Sequence, residues 1–277
     1  MTKRNSASPY APLPAVIKRV VRVSERERLF SLSQPGAPID FAPGQFFMAG
    51  LPGYGEAPFS ISSPAGGGGN SIELCIRAVG NLTNAIHRLK EGDTLWIRGP
   101  FGRGFPVDAM KGKDMLFIAG GIGIIPMRSL VRTVLDDKRS FGKLTLLYGS
   151  KTPYDMLFKD EMQRWKGSGM DVRLTVDYTM PGWTGNVGVI TTLMTGVQLN
   201  PGRTVAVIIG PPVMYRFVVY GLKDRRIPEG QVYLSLERKM RCGLGKCGHC
   251  QINSSYACQE GPVFSLDELE RLPEAFS

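Results

Sequence analysis

Four cysteines, Cys242, Cys247, Cys250 and Cys258, stand in the run R-C-G-L-G-K-C-G-H-C-Q-I-N-S-S-Y-A-C, a C-x4-C-x2-C-x7-C pattern. Thiolate sulfur suits iron–sulfur clusters, and an x4 gap followed by x2 is a spacing that wraps a [2Fe–2S] cluster. Gly243, Gly245 and Gly248 lie between the ligands, where a loop must turn sharply and aim N–H groups at sulfur. A structural zinc usually draws its cysteines as two close pairs, which this spacing fits poorly. Disulfides fit poorly too, because the start M-T-K-R-N-S-A-S-P-Y carries no apolar segment for export and a cytoplasmic location is expected. The predicted chemistry is single-electron transfer. A further cysteine, Cys75, falls in the strand-like S-I-E-L-C-I-R-A-V and reads as a small buried hydrophobe.

A second kind of chemistry is written in glycine. In F-I-A-G-G-I-G-I-I-P-M-R an apolar strand runs into Gly120, Gly121, Ile122 and Gly123 and then into a helix. Such a junction lets a dinucleotide approach the backbone, and the helix start favours its anionic oxygens. A tight strand–helix turn is the plain alternative for this motif alone. Two more strands end in similar fashion, at Gly149-Ser150-Lys151 and at Gly210-Pro211-Pro212-Val213-Met214. Three turns at the carboxyl ends of parallel strands would converge on one crevice.

A third group lies earlier. Ala57-Pro58-Phe59-Ser60 and Cys75-Ile76-Arg77, with Gly80, Leu82 and Thr83 beyond, could hold a flavin nucleotide. Phe59 would cover the ring, Ser60 would bond to its polar edge, Arg77 would add charge, and the helix start at Gly80–Thr83 would offer amides to a pyrophosphate. A core aromatic is the alternative for Phe59.

The elements that must position these groups change character along the chain. Five short β-rich runs (15–23, 45–51, 59–62, 72–79 and 94–98), punctuated by P-G, G-G-G-G and E-G-D, predict a small antiparallel barrel with one helix near 83–89. Gly66–Gly69 reads as a hairpin tip and the first ten residues as a flexible arm. Five apolar runs without alternation follow (114–119, 144–148, 172–176, 205–209 and 232–236), as buried parallel strands require. Helices at 124–135 and 153–165, and a short one near 188–195, separate several of them. The alternation predicts a doubly wound parallel sheet. A small cysteine lobe and a helix opened by the capping box Ser265/Glu268 complete the chain. The expected domains are 10–106, 107–236 and 237–277.

The 277 residues are 43% hydrophobic and carry a net charge of +10. No apolar run approaches the length of a membrane span, so no membrane insertion is expected. The charge forms no long basic run and no aromatic RNA-binding motif is visible, so no nucleic-acid binding is expected either. Arg238, Lys239, Arg241 and Lys246 surround the first cysteines, either to compensate a negative cluster or to dock an acidic redox partner.

P-F-S, G-N-L-T, G-G-I-G and G-P-P-V-M, in that order, resemble the ferredoxin–NADP reductase superfamily. The cysteine run, with G-E-A-P-F-S-I-S-S and G-W-T-G-N-V-G-V-I, resembles its electron-transfer branch over nearly the whole chain, from about residue 12 to 264. That branch holds the electron-transfer subunits of dihydroorotate dehydrogenase, the gamma subunits of soluble sulfhydrogenases and the corresponding subunit of anaerobic sulfite reductase. Two positions depart from the superfamily. Ala57 and Phe59 stand where R-x-Y-S has its arginine and tyrosine, and Ile209 stands where C-G-P-P has its cysteine.

The resemblance implies FAD in the barrel, NAD(H) or NADP(H) in the α/β domain, and a [2Fe–2S] cluster on the cysteines. It implies an oxidoreductase subunit that links the nicotinamide pool to an iron–sulfur partner subunit. A stand-alone or bifurcating NAD(P)H–ferredoxin oxidoreductase and a redox sensor are the other readings. No catalytic acid or base is expected, because hydride transfer needs alignment above all. His87 is expected to cap or cover the barrel helix, and His249 to tune the cluster.

Overall fold

Residues 8–34, 36, 38–66 and 69–276 of the computed structural model are described. Most of the expected arm and the centre of the glycine hairpin tip lie outside them. Six strands make the first sheet: β1 (Leu13–Arg22), β2 (Glu27–Ser33), β3 (Phe46–Leu51), β4 (Gly55–Ser60), β5 (Ser71–Arg77) and β6 (Thr94–Phe101). Their order is β4-β3-β6-β1-β2-β5, with every pairing antiparallel. A bridge between Ile61 and Leu74 joins the two ends, so the sheet closes into a barrel. Phe30, Phe47, Ile72 and Leu74 fill it without exposure. The helix α1 (Asn81–Ile86) adds Ala85 and Ile86 to the buried set. β2 escaped the sequence reading because E-R-L-F-S-L-S opens on charged residues.

After a helical turn, α2 (Val107–Met110), the second sheet is built from β7 (Asp114–Gly120), β8 (Leu144–Ser150), β9 (Asp171–Val176), β10 (Asn186–Val187), β11 (Thr204–Ile209) and β12 (Val232–Ser235). These six run parallel in the order β10-β9-β8-β7-β11-β12. The connecting helices are α3 (Ile124–Asp136), α4 (Lys159–Gly167), α5 (Thr191–Met194) and α6 (Pro212–Asp224). β7 shows why the strands lack alternation. Met115, Phe117 and Ala119 pack in one core with α3 and α4, while Leu116 and Ile118 pack in the other with α5 and α6.

Two expectations need correction. The helix foreseen over 153–165 is broken. Pro153–Asp155 is a single helical turn, and Phe158 takes φ +55° before α4 begins at Lys159. Thr152 and Asp155 form a capping box, but on that turn and not on α4. The helix foreseen near 188–195 starts later, at Thr191, because Asn186–Val187 pairs with β9.

The cysteine lobe follows β12 and has only two short strands, β13 (Gln251–Ile252) and β14 (Ser255–Tyr256). The chain then returns. β15 (Val263–Ser265) pairs antiparallel with β12, and α7 (Leu266–Leu269) starts from the expected Ser265 cap. The tail thus packs in one core with the second sheet and with Cys250, Ile252 and Cys258 of the lobe.

One side chain fixes the barrel against the sheet. Arg128 of α3 is 3% exposed. It donates to the Ser62 carbonyl (2.8 Å) and Glu73 (2.7 Å) of the barrel, and to Glu161 of α4 (2.8 Å). Phe158 covers its guanidinium, 4.9 Å from the ring centre. Ser62 also donates to the Ile125 carbonyl at 3.0 Å.

Candidate functional site

Strand order reverses between β7 and β11, and there a cleft of about 670 Å³ opens across the carboxyl ends of the strands. Gly120, Gly121, Ile122, Gly123, Gly149, Ser150, Gly210, Pro211 and Met214 all line it. The three turns singled out in the sequence therefore do meet.

The glycines have different reasons to be glycine. A Cβ on Gly120 would lie 2.7 Å from Met214 Sδ, one on Gly210 3.1 Å from the Gly120 amide, and one on Gly123 would strike the Ile209 carbonyl. These three permit close packing. Gly121 alone among them takes a left-handed φ, +54°, and meets nothing within 4 Å. Two buried tyrosines brace the turns. Tyr148 donates to the Gly121 carbonyl (3.2 Å) and accepts from the Leu157 amide; Tyr215 donates to the Ser235 carbonyl (2.6 Å) and accepts from Gly210. Burial pushes both hydroxyls well up, so they stay protonated. The Ser150 hydroxyl is already engaged with the Thr152 carbonyl at 2.8 Å.

The flavin-type residues sit on an open strand. Ala57, Pro58, Phe59 and Ser60 are all half-buried on β4, which pairs with β3 on one side and, among the described residues, has no partner on the other until Ile61. Its outer backbone groups are free to bind a polar ring edge. Phe59 packs against the barrel core, as the plain reading of an aromatic there foresaw. At α1 the first-turn amides of Asn81, Leu82 and Thr83 have no intrahelical acceptor. The Thr83 hydroxyl itself is taken, accepting from the Val79 and Gly80 amides at 2.9 Å.

Three expectations about this group change. Cys75 and Ile76 present no side chain to the surface, at 5% and 0% exposure; burial pushes the Cys75 thiol far up. The Ile76 carbonyl is taken as well, because His87 Nε2 lies 2.8 Å from it at the end of α1. Arg77 is not a free cation for a flavin phosphate. It pairs with buried Glu27 and lines the nucleotide cleft instead.

In the cysteine lobe the backbone is built around sulfur. Gly243, Gly245 and Gly248 take φ values of +72°, +65° and +76°, which side chains rarely adopt. The turns aim the Leu244 and Lys246 amides at Cys242 Sγ (3.3 and 3.4 Å) and the Gly245 amide at Cys258 Sγ (3.1 Å). The four thiols are free of disulfides, with Cys242 beside Cys247 and Cys250 beside Cys258. Among the described residues no three His, Cys, Asp or Glu groups converge on one ion position. Four sulfurs that do not converge on a single ion position suit a two-iron cluster better than a lone zinc.

The backbone around His249 and Cys242 draws the Cys247 thiol down to about 7, whereas burial pushes Cys258 up to about 12. Cys250 and Cys258 are buried and Cys247 is exposed. His249 is exposed and its Nδ1 lies 3.2 Å from the Cys247 carbonyl, so it touches backbone rather than sulfur. Arg238 leaves the cysteines and donates to the Glu274 and Ala275 carbonyls.

Barrel and lobe meet through one face. Phe46 and Met48 of β3 stand opposite Ser60 and Pro58 of β4 in the ladder and share a core with Cys250 and Cys258. A Cβ on Gly243 would lie 2.9 Å from Phe101 and 3.3 Å from Met48. Arg98, 8% exposed, pairs with Glu56 of β4 and reaches the Arg241 carbonyl at 3.4 Å. Sequence reasoning missed this clasp, and it missed Glu237 and Asp177, which also line the cleft. The rule that ligands gather at strand carboxyl ends, applied also to β9 and β12, would have found both acids.

A barrel with an open flavin-type strand, a switch-point cleft and a cysteine loop define an FAD- and NAD-binding oxidoreductase with an iron–sulfur domain. Family models match each part: an oxidoreductase FAD-binding domain over 14–105, an oxidoreductase NAD-binding domain over 117–220, and the iron–sulfur cluster binding domain of dihydroorotate dehydrogenase B over 237–270. The sulfhydrogenase 2 gamma subunit of Pyrococcus furiosus is 40% identical over 93% of this chain and 96% of its own. A probable dihydroorotate dehydrogenase B electron transfer subunit of Thermococcus kodakarensis is 34% identical over 83% and 88%. The chain belongs to this family of ferredoxin–NADP reductase-like electron-transfer subunits. Its fold superimposes on a chain of the NADH-dependent reduced ferredoxin–NADP oxidoreductase with a TM-score of 0.75, at 22% identity over 95% of this chain and 92% of that one. No helix among the described residues is long and apolar enough to cross a membrane.

Proposed function

We propose that this protein is the cytoplasmic electron-transfer subunit of a multi-subunit hydrogenase or reductase, carrying electrons between a nicotinamide nucleotide and an iron–sulfur partner subunit. The observation that supports it most is the β3–β4 pair. One strand carries the open flavin-type edge, and the other packs by Phe46 and Met48 on the cysteine loop. The nucleotide cleft reaches the same barrel through Arg77.

In this reading Gly121 and the turns after β8 and β11 hold the dinucleotide. The β4 edge and the first turn of α1 hold FAD, and Cys242, Cys247, Cys250 and Cys258 hold the cluster. Bound FAD supplies the exchange between a two-electron hydride and single electrons. The chain's own residues orient and enclose. The Arg128 network holds barrel and sheet in one relation, and Tyr148 and Tyr215 fix the turns. The Arg98–Glu56 pair seats the loop on the barrel, and the amides of residues 244–246 favour thiolate over thiol.

The test is an anaerobic titration of the holoprotein with NADH and with NADPH, read by visible absorbance and EPR. Flavin bleaching followed by a [2Fe–2S] signal is expected, and the nucleotide that acts at lower concentration is the physiological one. Absence of bleaching with both nucleotides rejects the reading. Co-expression with a partner subunit should yield a stable complex. Full turnover with free ferredoxin and no complex would favour a stand-alone reductase.

A further inference from the structure

The nucleotide cleft crosses the carboxyl ends of six strands, from Val189 after β10 and Asp177 after β9, past Ser150, Gly120 and Gly210, to Glu237 after β12. Neighbouring strands stand about 4.8 Å apart, so the strands that carry Asp177 and Glu237 lie roughly 19 Å from each other. The two ends differ in what surrounds them. Lys151, Asp155 and Asp177 rim the β8–β9 end. At the β12 end Arg77 comes in from the barrel, near enough for its charge to act on the Glu237 carboxyl. A dinucleotide that meets the flavin must put its nicotinamide at that end.

Glu237 has no hydrogen bond or ion pair to its carboxylate among the described residues. Its nearest cation is spoken for, because Arg77 pairs with Glu27. Its neighbour Arg238 turns away to the Glu274 and Ala275 carbonyls. The side chain is open to the cleft, yet burial against the surrounding protein raises its carboxyl above the ordinary range. Its position is braced, since the carbonyl of Ser235, two residues earlier, accepts from Tyr215, which also holds the Gly210 turn. A carboxyl without a protein partner, shifted from its ordinary range and placed in a cleft, marks a place where a ligand can supply the missing charge.

We propose that Glu237 discriminates between the oxidised and the reduced nicotinamide, its carboxylate stabilising the cationic ring of NAD+ (or NADP+) and not the neutral ring of the reduced form. The inference rests on the reading that the cleft takes the dinucleotide with its nicotinamide toward the barrel. Tighter binding of the oxidised form makes the bound nucleotide a stronger electron donor, by linkage. The same fixed charge meets the positive charge that grows on the ring as hydride leaves.

The test compares oxidised holoprotein with Glu237→Gln and Glu237→Asp, each matched for flavin and cluster content. Titrations at pH 8 use NAD+, the unreactive tetrahydro analogue of NADH with its neutral ring, and ADP-ribose, which has no nicotinamide. If the first titration favours the phosphorylated nucleotide, the matching forms replace these. Glu237→Gln is expected to weaken NAD+ about tenfold while the neutral analogue changes less than about threefold and ADP-ribose not at all; Glu237→Asp keeps part of the preference. Equal loss of NAD+ and the neutral analogue, or no change in either, overturns the proposal while leaving the cleft reading intact. Failure of all three to bind the unmutated protein overturns both.

Discussion

The nucleotide cleft and the cysteine lobe are two cofactor sites built on opposite principles. The cleft stands on β7, β8 and β11, whose residues are almost all buried, and its turns are braced by protein side chains alone. The lobe has two strands of two residues each, and its loop residues 246–249 are exposed. Its turns point amides at sulfur rather than at each other. A nucleotide that comes and goes needs a site that stands without it. A cluster that stays can serve as part of the core, much as structural metals do in small domains.

The sharpest way to break this contrast is at the sulfurs. Cys250→Ser should remove nearly all of the [2Fe–2S] absorbance and EPR signal and loosen residues 240–260 in hydrogen exchange. Flavin bleaching by the nucleotide should stay within about threefold, because barrel and sheet keep their own cores. Loss of bleaching along with the cluster would mean that the regions are not separable. The next largest effect should come from Arg128→Met. It leaves Glu161 unpaired, while Glu73 keeps Arg132, and should cost about 3 kcal/mol in denaturant unfolding, with cluster content per folded molecule unchanged.

Gly123→Ala tests the prebuilt cleft. The new methyl meets the Ile209 carbonyl, so a loss of about 1–3 kcal/mol and weaker dinucleotide binding are expected from melting curves and titration. The smallest effect should be Arg103→Ala, at the seam between barrel and tail. Arg103 grips Glu268 at 2.6 and 2.7 Å, but both side chains are more than a third exposed, so about 1 kcal/mol or less is expected. Burial alone would raise the Glu268 carboxyl; Arg103 and the Ser265 amide and hydroxyl outweigh it and hold it below the usual range. A lowered pKa stabilises the fold fully above the unfolded value, about 4.3, and that contribution is lost as pH falls through the folded one. The difference between Arg103→Ala and the unmutated protein should therefore shrink in acid, which melting at pH 7 and pH 3 will check.

Features that depend on local pattern were legible in the sequence. The parallel strands announced themselves as unbroken apolar runs, the cysteine spacing named its cluster, and Ser265 with Glu268 marked a helix start that the structure contains. What stayed hidden depends on contacts far apart in the chain. Arg77 looked like a cation for phosphate because Glu27, fifty residues earlier, is brought beside it only by the β2–β5 ladder. The long helix foreseen over 153–165 failed because Met156, Leu157 and Phe158 are drawn into the sheet's core and Phe158 covers Arg128. Glu237 was overlooked because it follows β12 with no glycine turn to draw attention to that strand end.

The return of β15 to β12 has a consequence for how such a protein can be rebuilt. Ser235 and Val263 are partners in one ladder, so the whole cysteine lobe leaves and re-enters the sheet through a single rung about 5 Å wide. Topologically it is the oversized tip of a hairpin. It can be exchanged for another electron carrier without cutting a strand of the nucleotide domain, provided the replacement covers the core that Cys250, Ile252 and Cys258 share with the C-terminal helix.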